Sequence, residues 1–80
     1  MDIERLVAMA NDIAAFFDAE PDKKIAVEGV RFHMSRFWEK RMRQAIIAHV
    51  EAGGAGLAPT ACAAVKLLAP PADMQRPANS

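Results

Sequence analysis

Two histidines, one cysteine, a glycine cluster and a run of arginines among aromatics are the parts of this 80-residue chain whose types could do chemistry. His33 and His49 stand sixteen positions apart (49 − 33) with no H-E-x-x-H arrangement, and Cys62 has no second cysteine to form a C-x-x-C pair. Neither a catalytic nor a structural zinc site is indicated, and hydrogen-bonded or half-buried histidines are expected instead. Cys62 and His49 have the atoms of a nucleophile–base pair, but Cys62 lies in "ACAAV", where a cysteine behaves as a small hydrophobe. Ser35 lacks a G-x-S-x-G setting. The glycines of "GGAGLAP", residues 53 to 59, look superficially like a phosphate loop, yet no strand pattern precedes them and no Lys-Ser/Thr pair closes the motif. They are read as a helix stop followed by a flexible linker. Catalysis by this chain alone is not expected, and no cofactor-binding or metal site is assigned to it.

The stretch "RFHMSRFWEKRMRQ", residues 31 to 44, is the richest in recognition chemistry. Arginines interleaved with aromatics can hold single-stranded nucleic acid through phosphate contacts and base stacking. On a helix, however, Phe37 falls with the core stripe and Trp38 at a helix junction, so the aromatics form no stacking row. Tryptophan, arginine and methionine are also the types favoured at the centre of protein interfaces. Trp38, Arg41, Met42 and Arg43 have that composition. A plug at a helical hairpin with solvated arginines fits the same residues equally well, and composition alone leaves the two open.

Those side chains must be positioned by helices. Leu6, Met9, Ala10, Ile13, Phe16 and Phe17 recur at helical spacing between Asp2 and Ala19. Asp2 is suited to cap that helix, and Pro21 with Asp22 ends it. A second stripe, Ala26, Val30, His33, Met34 and Phe37, predicts a helix from about Asp22 to Phe37, with Gly29 a weak point that permits close helix approach. A third helix is expected over Lys40 to Ala52, stopped by the glycines, and a shorter fourth from Pro59 through Leu68. No β pattern competes. The fold class is therefore all-α: three main helices and a short fourth in one domain over 1–68. The segment 69–80, "APPADMQRPANS", has too little apolar surface to offset its ordering entropy and reads as a disordered tail.

Formal net charge is zero, which disfavours a dedicated polyanion binder. The distribution is uneven: residues 1–22 hold six acids against Arg5, and residues 31–43 hold five cations against Glu39. Mutual neutralisation of these blocks on folding is expected. No run approaches the roughly 18 apolar residues of a membrane span. The acidic N-terminus lacks the pattern of a secretory signal, so a cytoplasmic setting is expected. For a chain of this size, apolar burial on the order of 120 kcal/mol is matched by an ordering cost of about 1.5 kcal/mol per residue, about 120 in all. With neither disulfide nor metal as a staple, a partner subunit or a second copy of the chain is the remaining source of stability.

Three short motifs in order carry a resemblance. "LVAMANDIAAFF" at 6–17, "HMSRFWEKRMR" at 33–43 and "GGAGLAPTACAAVKLL" at 53–68 resemble the delta subunit of soluble, NAD-dependent, molybdenum-containing formate dehydrogenases. The resemblance implies a non-catalytic accessory subunit without a cofactor of its own. It would bind the larger subunits, foremost the catalytic alpha subunit, and support assembly, stability or cofactor insertion. Molybdenum cofactor, iron–sulfur clusters and FMN are implied for those larger chains. The family often has Asp-Pro where this chain has Glu39 and Lys40, so a softer bend before the third helix is expected here. With the resemblance, the docking surface is expected at Arg36, Trp38, Arg41, Met42 and Arg43, with Phe16, Phe17 and Phe37 in the core. A small nucleic-acid-binding protein and a stand-alone homodimeric bundle are the alternatives.

Overall fold

Residues 2–68 are described by a computed structural model as four helices: α1 (Ile3–Phe17), α2 (Lys23–Phe37), α3 (Lys40–Glu51) and α4 (Pro59–Leu68). The all-α class and the order of elements are as the periodicity predicts; the expected tail, 69–80, lies outside the described residues. Three of the four helix starts have a chemical cause. Asp2 accepts a hydrogen bond from the Glu4 amide at 3.0 Å and Asp22 one from the Lys24 amide at 2.9 Å, so two of the helices begin on a carboxylate cap. Glu39, at the start of α3, makes no such bond. Pro59 opens α4, where its missing N–H is no loss.

The end of α3 is closed by glycine geometry. Gly53 and Gly54 have φ of +121° and +67°, and their amides donate to the Val50 and His49 carbonyls at 3.0 and 2.9 Å. This pairing satisfies the last carbonyls of the helix and requires residues free of a Cβ penalty. Because these amides are already engaged, they do not form a phosphate cradle. The expected helix stop is present, but the following segment is tied down on both sides. Asn11 of α1 donates to the Gly56 carbonyl at 2.9 Å and accepts from the Ala58 amide at 2.8 Å, while His49 Nε2 lies 2.7 Å from the Ala55 carbonyl.

The core is built on small residues. Leu6, Ala10 and Ala14 of α1, Ala26, Val30 and Met34 of α2, Ile46 of α3 and Ala61, Ala64 and Val65 of α4 are buried, with Met34 and Ile46 the largest fully enclosed side chains. The fourth helix is central rather than appended: α4 packs against all three others and most extensively against α2. The successive helices α2 and α3 are not among the extensively packed pairs, so they form a corner with α4 between them rather than a hairpin. Two extended residues, Trp38 (ψ 139°) and Glu39 (ψ 156°), make that corner.

Gly29 does permit a close approach. A Cβ placed there would come within 2.5 Å of Phe17 Cε1, so the Phe17 ring rests directly on the α2 backbone. At the same end of α1, the next residue, Asp18, accepts at Oδ1 from the Thr60 hydroxyl at 2.6 Å and pairs with Lys23 Nζ at 2.9 Å, joining the start of α2 and the start of α4. The hydrogen bond from Thr60, then that from Lys23, holds the Asp18 carboxyl below its ordinary range.

Candidate docking surface

The corner between α2 and α3 places the five side chains expected to dock a partner, and it separates them. Trp38 is 5% exposed and belongs to the core of its own chain. This corrects its expected surface position. The reason is helical drift: the buried row of α2 runs Ala26, Val30, Met34 in steps of four, and the next member is residue 38, not 37. Met42 packs partly against the same core. Arg43 is part-buried, and its guanidinium donates to the Trp38 carbonyl, satisfying an acceptor at the corner. Only Arg36 and Arg41 of the five are exposed. Arg36 lies over the ring of Phe32, its Cζ 5.5 Å from the ring centroid, a cation–π geometry.

The same drift moves two expected core residues outward. Phe16 is 75% exposed and Phe37 68%, whereas Phe17 is partly buried, as expected of it. On α1 the buried row is Leu6, Ala10 and Ala14, again in steps of four, so Phe16 falls beside the row rather than on it. Size misled the reading: a stripe weighted toward large side chains selects the phenylalanines, while the helices approach closely enough for alanine to carry the core. The structure instead gathers aromatics along the groove between α1 and α2. Asp12, Ile13, Phe16, Phe17 and His33 line a shallow depression there of about 260 Å³. Phe16 and Phe17 meet edge to face with ring centroids 5.2 Å apart, and His33 and Phe37 are 4.9 Å apart. Phe32, 53% exposed, was not singled out by the sequence reading. A helical wheel anchored on Ala26, Val30 and Met34 places it on the opposite face and was the signal that could have found it.

Charge is distributed differently from expectation as well. Among the described residues the ion pairs are Lys23–Asp18 and Arg31–Glu28, both at 2.9 Å. Neither joins the acidic block, 1–22, to the basic block, 31–43, so the expected direct neutralisation between the blocks is not made. Among the described residues no three His, Cys, Asp or Glu side chains converge as a metal site would require, and none of the helices is long and apolar enough to cross a membrane.

A patterned helical surface of this kind is compatible with many partners, and comparison with known proteins narrows the field. No curated protein and no solved structure matches the chain at a significant level. The family model described as "NADH-dependent formate dehydrogenase delta subunit FdsD" matches residues 5–65. That span takes in almost all of α1, the whole of α2 and α3, and α4 as far as Val65. The chain therefore belongs to the FdsD family, the delta subunits of NADH-dependent formate dehydrogenases.

Proposed function

We propose that this chain is a non-catalytic accessory subunit that binds the larger subunits of a formate dehydrogenase, foremost the catalytic alpha subunit, and supports assembly, stability or cofactor insertion there. The match to the delta-subunit family over residues 5–65 carries the reading. The molybdenum cofactor, the iron–sulfur clusters and FMN belong, on this reading, to the larger chains. Among the described residues of this chain no three His, Cys, Asp or Glu side chains meet, and Cys62 is a half-buried thiol. What the chain offers is surface. The exposed Arg36 and Arg41 supply positive charge not paired with the acidic N-terminal block, while Trp38 and Arg43 fix the corner between α2 and α3.

Co-expression of the larger subunits with and without this chain tests the proposal. Omission is expected to lower the yield of assembled enzyme and its molybdenum content per alpha subunit, with formate-dependent NADH formation falling in proportion. Equal metal content and equal turnover without the chain would refute an accessory role.

A further inference from the structure

We infer that the aromatic face along α1 and α2, formed by Phe16, Phe17, Phe32, His33, Arg36 and Phe37, is the surface covered by a larger formate dehydrogenase subunit, which meets it with an apolar patch edged by carboxylates. The inference rests on the subunit reading above and says which face is used. Three observations lead to it. First, the face is too apolar for water: Phe16, Phe32 and Phe37 are each more than half exposed. Exposed apolar rings of this size mark an interaction site; Phe32 and Arg36 stand on the outward side of α2, beside the groove that Phe16, Phe17 and His33 line. Second, the rings are already organised. Phe16 stands edge-on to Phe17, Phe17 rests on Gly29, and His33 packs at a tilt against Phe37 one turn further along α2. Side chains fixed in this way lose little further freedom on association. Third, the face carries a cation outside the ion pairs of the described residues, with the Asp12 carboxylate at its α1 edge. Arg36, held over Phe32, takes no part in either ion pair of the described residues, and the nearby Arg31 is already matched to Glu28.

An interface has an apolar centre and a polar rim, and its energy concentrates in a few aromatic and arginine anchors at the centre. With Trp38 buried in its own core, the centre is supplied by the phenylalanines, and Arg36 stands at the rim. Arg36 is a fork of donors over an aromatic ring, and its natural counterpart is a carboxylate on the partner.

The test is co-purification of the full chain with affinity-tagged larger subunits. Phe32→Gln with Phe37→Gln removes two exposed rings while keeping good helix formers, and Arg36→Glu reverses the rim charge without touching the core. Leu67→Ser is the control, an exposed apolar residue at the far end of α4. The double variant is expected to lower recovery about tenfold or more, as loss of two anchors would, and Arg36→Glu to lower it further as salt is reduced. Leu67→Ser should match the wild type, and the far-ultraviolet circular dichroism of all variants should be unchanged. Wild-type recovery of both face variants, alongside bound wild-type chain, would overturn the face while leaving the subunit reading intact. Failure of the wild-type chain itself to bind would overturn both. A variant that binds normally but converts a dimer of the isolated chain to a monomer would overturn the inference in favour of self-association.

Discussion

Asp18 shows how much one carboxylate can organise in a small helical protein. Its Oδ1 receives the Thr60 hydroxyl and lies against the Lys23 ammonium, so the end of α1, the start of α2 and the start of α4 meet at one oxygen. The sign of its pH effect follows from these partners. Both stabilise the ionised form, so the folded-state value lies below that of the unfolded chain, ordinarily about 3.9. The contribution is fully present above that value and is lost as pH falls through the lower, folded one. Urea denaturation at a series of pH values from about 6 down to about 3 should show a larger loss for the wild type than for Asp18→Asn. Parallel losses would remove Asp18 from the account. Asn11 has a similar organising role on the other side, where its amide holds the segment between α3 and α4 against α1. Neither residue stands out in sequence, because a polar side chain on a helix flank looks the same whether it meets water or a group more than forty positions away.

At the scale of elements, α1 and α2 are held at a distance set by a glycine. Replacing a mid-helix glycine by alanine ordinarily stabilises by about 1 kcal/mol. At Gly29 the added methyl would strike the Phe17 ring, and overpacking of this kind costs about 1–3 kcal/mol. Gly29→Ala is therefore expected to lower stability by on the order of 1 kcal/mol, and the penalty should shrink in a Phe17→Leu background, as coupling between touching residues requires. A melting temperature that rises in the single variant would show that the ring moves aside freely. The helices themselves were legible. Asp2, Pro59 and the glycines after Ala52 mark three boundaries, and the structural helices differ from the predicted spans by one or two residues. Their faces were less so. An error of one residue in which side chain continues a row turns Phe37 outward and Trp38 inward.

For the whole molecule, that exchange decides how a mutation should be read. Trp38→Ala leaves a cavity in a core otherwise built of alanine, valine and a few larger groups, a change that costs about 3–5 kcal/mol. The melting temperature should fall by more than about 10 °C, followed by circular dichroism, whereas Arg41→Ala, at an exposed position, should shift stability by no more than about 0.5 kcal/mol. Loss of the complex in a Trp38 variant would then report unfolding rather than a missing contact, and a wild-type melting curve for Trp38→Ala would contradict its place in the core. The sequence by itself determined the all-α class, four helices in order, the glycine stop, and the family, because periodicity, caps and short motifs are local properties of the chain. Only the tertiary structure decided that α4 sits at the centre, that alanines carry the core, and that the phenylalanines face outward. Those outcomes depend on how closely the helices approach, and that distance is set by contacts between residues far apart in sequence.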